Sequence, residues 1–434
     1  MEKKYLSIKK ALEKKEGEVS LRGWVHRYRD QKKTIFITLR DVTGIIQLVC
    51  DEEKVDSEVF KKAQKITIES SISLKGTIRK EERAPQGYEI DIKDIDVVGL
   101  SEIYPISKDF SEEFLLDVRH LWLRSRKMQA ILKIRSTVFK AIHEYFRSQE
   151  YYEYQSPVLQ SVQCEGGSSL FTVDYFEKKG VFLAQTWQLY AEPAIFSLER
   201  IYTLAPSFRA ERSKTTRHLA EYWHAEMEGA WVSFEELQEH AEGLIKHIIS
   251  EVLKEHGEDL KTLKRDVSLL KTAISKPFVK MTYTEALDIL KKEHGLEVEW
   301  GKDLRTVEED LLSKMYDTFI IITRYPKEVK AFYMKEDPKD PRVVLGFDCI
   351  GPEGYGEIIG ASEREDDIKK IIERLEKDGE DVSQYDFYLD TRKYGSVPHS
   401  GFGMGVERII SYIIKADTIK DAIPFPRTMI RYRP

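Results

Sequence analysis

Asparagine is absent from all 434 residues, although glutamine recurs at Gln31, Gln47, Gln155, Gln188 and elsewhere. A general avoidance of heat-labile amides would deplete both residues, so the absence is particular to one of them. Cysteine is scarce as well. Cys50, Cys164 and Cys349 stand far apart with no CxxC spacing, which argues against a disulfide framework or a cysteine-built zinc site and fits a reducing compartment. No apolar run reaches the roughly 18 residues that a membrane-spanning helix needs. The lysine-rich stretch Met1 to Glu16 has no apolar core of the secretory kind, so a cytoplasmic protein is expected. Net charge is -6, against a generic nucleic-acid coat, but it is unevenly spread. Residues 1–98 carry 21 basic against 18 acidic residues, or +3, leaving -9 for the rest. An RNA site therefore has to be a local basic patch.

What the chain does contain divides into three parts: residues 1–98, a linker or hinge over 99–125, and 126–434. In the first part, Glu18–Tyr28, Lys33–Asp41, Gly44–Cys50, Ile66–Arg79 and Tyr88–Val98 read as strands, with a helix over Asp56–Ile66. Five strands with a helix between the third and fourth is the pattern of an OB-fold, although other small β-barrels share it. In the last part an amphipathic helix over Gln129–Arg147 aligns Ile131, Ile134, Val138, Ile142 and Phe146 on one stripe. Tyr151–Pro157 is extended, because the residue before a proline avoids helical geometry. Gly180–Gln185 and Arg200–Phe208 read as strands; Glu235–Glu255, Thr284–His294, Asp366–Asp378 and Gly405–Ile414 read as helices. The expected class is α+β: an OB-fold β-barrel followed by an antiparallel β-sheet flanked by helices.

Three segments carry chemistry. They are the long helix leading to the strand that ends at Pro157; Phe208-Arg209-Ala210-Glu211-Arg212 followed by Arg217-His218-Leu219-Ala220-Glu221-Tyr222; and Gly401-Phe402-Gly403-Met404-Gly405-Val406-Glu407-Arg408. In that order they resemble motifs 1, 2 and 3 of the class II aminoacyl-tRNA synthetases. With the OB-like domain in front, the resemblance covers essentially the whole chain and points to the subclass for aspartate, asparagine and lysine. It implies that an amino-acid carboxylate attacks the α-phosphate of ATP in line and that pyrophosphate leaves. Such a reaction needs positioning and charge neutralisation more than covalent help.

The resemblance also distributes roles. Arg209, whose planar fork suits two oxyanions at once, and Arg408 are the catalytic pair. Glu211 would accept from the adenine amino group, Arg217 and His218 would meet the distal phosphates, and Tyr222 and Arg408 would cover the two adenine faces. Gly401, Gly403 and Gly405 would let backbone approach the nucleotide. Mg2+ is the implied cofactor, a hard cation for ATP oxygens, with Asp348 and Glu357 as its carboxylates. A homodimer through the motif 1 region is implied, and Arg29, Phe36 and Gln47 fall where an OB-fold of this subclass reads the anticodon. Without the resemblance, Phe36 within Thr34-Ile35-Phe36-Ile37 reads more readily as a barrel-core residue.

The amino acid rests on few positions. By resemblance, Gln188 holds the substrate α-ammonium, Arg364 holds its side-chain oxygen, and Glu165 closes over the site from the loop Glu165–Phe171. Aspartate enzymes place a lysine where this chain has Ala191. Glu226 would accept from a carboxamide and repel a carboxylate; a plainer reading makes it only the ion-pair partner of Arg364. The balance favours asparagine, with tRNA(Asn) as partner. The alternatives are an aspartate–tRNA ligase that also mischarges tRNA(Asn), an asparagine synthetase, disfavoured because such relatives lack the OB domain, and a non-catalytic RNA-binding paralogue, disfavoured because Arg209, Glu211 and Arg408 are all intact. A chain free of asparagine can be translated while Asn-tRNA is scarce; equal poverty in other proteins of the same source would remove that link.

Overall fold

The structure is a computed structural model describing residues 5–106, 110–164, 170–212 and 215–434. It resolves into two compact units, Met1–Leu116 and Asp117–Pro434. The segment 99–125, expected as a linker, contains the short helices Glu112–Asp117 and Arg119–Trp122.

In the first unit five strands close a barrel in the order β1-β2-β3-β5-β4: β1 Gly17–Asp30, β2 Thr34–Asp41, β3 Gly44–Asp51, β4 Ser71–Lys80 and β5 Tyr88–Gly99. A helix over Ser57–Gln64 lies between the third and fourth strands, started by the Asp56 carboxylate accepting from the Glu58 amide, a common N-cap. Alternation decides what faces inward. Val19, Leu21 and Val25 of β1, Ile35, Ile37 and Leu39 of β2, and Ile46 and Leu48 of β3 form the core. The first expected fold element is thus an OB-type barrel, and the pleat places Phe36 outside it.

In the second unit an eight-stranded sheet is flanked by helices. Its order is β9-β10-β11-β12-β13-β8-β7-β6, with β6 Tyr152–Glu153, β7 Arg200–Phe208, β8 Glu221–Ala230, β9 Val279–Thr282, β10 Ile320–Thr323, β11 Gly346–Gly351, β12 Gly356–Glu363 and β13 His399–Gly405. All neighbours are antiparallel except the outermost pairs at each end. The helix Arg126–Ser148, capped by Ser125, packs Ile131, Ile134, Val138, Ile142 and Phe146 into the same core as Leu244, Ile245 and Ile248 of the helix Phe234–Glu255. That is the stripe read from the sequence. The expected strand over Gly180–Gln185 shrinks to Phe182–Leu183, paired with Leu159–Gln160 outside the main sheet. Its other side makes only an isolated bridge between Thr172 and Phe182, so the pairing does not extend along the run.

One carboxylate ties the three motif segments together. Glu407, at the start of the helix Val406–Ile414, is 1% exposed; it lies 2.6 Å from Arg135 of the long helix and accepts from the Trp223 amide at 2.9 Å.

Candidate active site

The central strands β8, β13 and β12 form the floor of the site, and glycine makes that floor concave. In register, Glu228 faces Gly401 and Glu226 faces Gly403 across one strand boundary, while Ser362 faces Gly401 and Gly360 faces Gly403 across the next. A Cβ on Gly401 would stand 2.2 Å from the Glu228 carboxylate, and one on Gly403 would stand 2.5 Å from His224 Nε2. The glycines therefore first make room for charged side chains of β8. Only Gly405, whose added Cβ would meet nothing closer than the Arg408 side chain at 3.4 Å, lies open beside the nucleotide residues.

Three chambers meet above this floor. One of about 580 Å³ is lined by Gln185, Gln188, Arg209, Glu226, Lys330 and Arg364, among others. A second, also about 580 Å³, is lined by Arg217, His218, Arg305, Glu309, Arg408 and Lys415, among others. A narrow slot of about 60 Å³ between them holds Arg209, His218, Tyr222, Gly405 and Arg408 in its wall. Glu357 lines all three.

The strand pair β7–β8 delivers the motif 2 residues. Arg209 follows β7 directly, and its amide donates to Ala220 O at 3.0 Å, closing the base of the loop. Its guanidinium carbon stands 5.6 Å from the Tyr222 ring centre, and Nη1 lies 3.9 Å from Glu211. His218 Nε2 reaches Glu211 at 3.6 Å. Burial lowers the His218 pKa, and Arg408, Arg209 and Arg217 add to that effect while Glu211 opposes it. Arg217 is held by Asp310 at 2.6 Å and by Gly354 O. Arg408 Nη1 donates to Glu357 O at 2.6 Å and to its carboxylate at 3.3 Å.

The expected metal carboxylates are adjacent. Gly360 leaves space in which an added Cβ would lie 3.0 Å from Glu357 Oε1 and 3.9 Å from Asp348 Oδ1. Burial works against ionisation of Glu357, but Arg408, Lys330 and Arg209 outweigh it and keep the carboxyl below its ordinary value. Asp348 accepts from Lys330 at 2.7 Å; burial nevertheless raises it to about 6, with Glu357 adding. Sequence reading missed Glu309, on the helix Thr306–Ser313. Burial and the charges of Glu357 and Asp348 push it to about 7. Among the described residues no three His, Cys, Asp or Glu side chains converge as a ready-made metal cage. Two carboxylates that complete their shell with phosphate oxygens are the usual arrangement for Mg2+.

The amino-acid end departs from expectation in one respect. Arg364, 3% exposed, does not pair with Glu226; it donates through Nε at 3.2 Å and through Nη2 to Glu228, and through Nη1 to Ser362 at 2.8 Å. Glu226 instead accepts from Thr186 Oγ1 and from the Trp187 amide at 3.0 Å, and lies 3.4 Å from His224. Burial opposes its ionisation, yet those partners keep its pKa below the ordinary value. The physical reason is the two-residue period of β8: both acids share one face of the strand, Glu226 lines the cavity, and register with Gly401 and Ser362 gives Glu228, further along, to the arginine. Gln188 lines the cavity and donates to Glu192 at 2.9 Å. Ala191 is fully buried among Trp187, Ile195, Ile201 and Ala230. Glu165 lies outside the described residues.

On the barrel, Phe36 is half-buried on the outer face and Arg29 is exposed, its guanidinium carbon 5.2 Å from the Phe36 ring centre. Gln47 donates to Glu89 at 2.7 Å, and Glu89 is in turn bound by Arg79. The three expected anticodon residues thus lie on the outer faces of consecutive strands.

A sheet of this order, with arginines from two motifs gathered with one carboxylate around a common cleft, defines a class II aminoacyl-tRNA synthetase site. Residues 111–429 match the family described as tRNA synthetases class II (D, K and N), and residues 19–98 match the OB-fold nucleic acid binding domain. The chain belongs to the class II tRNA synthetases of the D, K and N group. Among similar curated proteins, the asparagine–tRNA ligase of Thermococcus gammatolerans is 45% identical over 416 residues, 96% of each chain. That of Pyrococcus furiosus is 43% identical over 438 residues, with 100% of both chains covered. Among solved structures, asparaginyl-tRNA synthetase from Pyrococcus horikoshii complexed with asparaginyl-adenylate superposes with a TM-score of 0.95 at 42% identity over 100% of both chains. Aspartyl tRNA synthetase from Entamoeba histolytica gives 0.88 at 26% identity, covering 99% of this chain and 93% of that one.

Proposed function

We propose that this chain is a cytoplasmic asparagine–tRNA ligase, which joins asparagine to AMP at the expense of ATP and passes it to tRNA(Asn). The observation that carries the choice of amino acid is Arg364 in the cavity wall, bonded by the buried carboxylate of Glu228. A carboxamide oxygen accepts from Arg364 while its NH2 donates to Glu228; an aspartate carboxylate meets Glu228 as a like charge. Gln188 faces the α-ammonium. Arg209 neutralises the attacking carboxylate and the α-phosphate together. Glu211 and the Tyr222 and Arg408 faces hold adenine, with Gly405 beside them. Arg217 and His218 meet the distal phosphates.

Mg2+ fits the crowded carboxylates, because Glu357 and Asp348 are hard oxygen donors whose mutual repulsion a divalent cation would relieve. Bound there with ATP, it would neutralise phosphate charge. The remaining work is done by the chain itself: Arg408 keeps Glu357 ionised and aimed, and Lys330 does the same for Asp348.

Pyrophosphate exchange with asparagine and aspartate offered separately is the test. Exchange with asparagine alone is expected; exchange with aspartate alone sinks the proposal. On the barrel, Arg29, Phe36 and Gln47 read the anticodon. Base–aromatic stacking is worth about 1–3 kcal/mol, so Phe36→Ala is expected to lower kcat/KM for tRNA charging roughly tenfold and leave pyrophosphate exchange unaltered. Equal charging by the variant would remove Phe36 from the interface. The two-residue strand β6, at the sheet edge after the motif 1 helix, carries Tyr152 at 56% exposure, consistent with a homodimer formed there. Sedimentation is expected to give twice the 50.7 kDa chain mass, and a single-chain mass would refute it.

A further inference from the structure

Behind the amino-acid end of the cavity lies a group of buried charges that no step above uses. Glu192 is fully buried at its centre. Its Oε1 accepts from Gln188 Nε2 at 2.9 Å and from the Tyr388 hydroxyl at 3.2 Å, and stands 4.0 Å from Arg364 Nε. Its Oε2 accepts from Arg392 Nη2 at 2.6 Å and contacts His399 Nε2 at 3.0 Å. Arg392 also donates to the Tyr388 hydroxyl at 2.8 Å, and His399 Nδ1 donates to Val397 O at 2.8 Å. One carboxylate therefore touches the glutamine assigned to the substrate α-ammonium and stands beside the arginine assigned to its side chain.

We infer that Glu192 is a positioning residue that sets amino-acid selectivity from outside the substrate's reach. The inference rests on the asparagine reading and deepens it. Two consequences follow from the contacts. The bond to Gln188 Nε2 fixes that amide, so that its oxygen is the atom left to face an ammonium group. The negative charge of Glu192 beside Arg364 lowers the positive potential at the side-chain end of the cavity. A neutral carboxamide is almost indifferent to that potential, whereas a carboxylate is not. Nothing comparable follows from a purely architectural role, because loosened packing would harm both amino acids alike.

Glu192→Gln tests this, since glutamine retains the shape and can still bond Gln188 and Tyr388 while losing one negative charge. One unit of charge at this range shifts the ratio of kcat/KM for asparagine over aspartate by roughly ten- to hundredfold. In pyrophosphate exchange the ratio is expected to fall by that amount, with aspartate-dependent exchange rising in absolute terms. An unchanged ratio, with both activities merely reduced, overturns the inference. Tyr388→Phe keeps the ring and decides the matter if Glu192→Gln does not fold: loss of the hydroxyl loosens Glu192 and is expected to lower the ratio a few-fold, and an unchanged ratio again overturns it. The parent protein is measured alongside. Its failure to use asparagine would overturn the proposed function, whereas the inference is judged by the change in ratio alone.

Discussion

Arg209→Ala is expected to lower asparagine-dependent pyrophosphate exchange about a thousandfold while scarcely altering the melting temperature. The two halves have separate grounds. The Arg209 side chain is 30% exposed and Glu211 lies 3.9 Å away, a partly exposed pair of the kind that contributes under about 1 kcal/mol to stability. In the proposed reaction it is the cation shared by attacking carboxylate and α-phosphate, and removal of such a group from a preorganised site costs on the order of 10²–10³ or more in rate. A second effect adds to the first. Arg209 is one of three cations that keep Glu357 ionised against its burial, so the variant also weakens the carboxylate at the junction of the chambers. Arg209→Lys is expected to recover little, because an ammonium cannot bridge two oxyanions as a planar fork does. Single-turnover and steady-state exchange are the measurements; retention of more than a tenth of the parent rate by Arg209→Ala would place the catalytic charge elsewhere.

The motif residues work as one body because glycines and a single buried acid bring their elements together. Glu407 contacts the long helix through Arg135 and strand β8 through the Trp223 amide, so the helix that carries Arg408 cannot shift without moving the strand that carries Tyr222. The glycines of β13 act on the opposite side of the same problem. They leave the height that Glu228 and His224 need above the sheet, and any side chain there would displace those groups before it met a nucleotide.

Local physics explains which parts were legible in the sequence. The barrel strands alternate, the long helices carry a stripe, and the turns between them are polar, so each element declares itself within a dozen residues. Arg209, Tyr222, Gly405 and Arg408 were legible because their motifs are contiguous. Phe36 was not legible from its neighbours, since Thr34-Ile35-Phe36-Ile37 fits either phase of a strand; only the burial of Ile35 and Ile37 on the core side fixes it outward. Glu228 and Glu192 were missed for a different reason. Their meaning lies in pairing with Arg364 and Arg392, 136 and 200 residues away in the chain, and one chain taken alone holds no record of register. Glu228 had a faint signal: it lies two residues beyond Glu226 on the same strand, so the two acids had to share a face. Glu309 had none, as one acid in a helix rich in them.

Selectivity for asparagine over aspartate is expected to rise with pH between about 6.5 and 9 in the parent protein and to lose that dependence in Glu228→Gln. Glu228 is 1% exposed. Burial raises its pKa, Arg364 opposes that, and Glu192 and Glu226 add to it, giving about 8; Tyr151, whose own pKa burial raises, and Arg392 also sense its charge. The sign follows from the two forms. Below the raised value a growing share of Glu228 is protonated, cannot repel a carboxylate, and leaves the charge of Arg364 free to attract aspartate. Above it the carboxylate accepts from the carboxamide NH2 and stands against a second negative group. Two like charges about 4 Å apart near a protein surface cost roughly 4 kcal/mol, so the discrimination lost in Glu228→Gln at pH 9 is on the order of a hundredfold or more. Glu228 holds Arg364 through Nε and Nη2, so its loss also frees that arginine and is expected to reduce asparagine use as well. The ratio of kcat/KM for the two amino acids, followed across that pH range in parent and variant, is the measurement. A flat ratio in the parent, or a slope that survives in Glu228→Gln, would assign the discrimination to Glu226, whose carboxylate is ionised throughout.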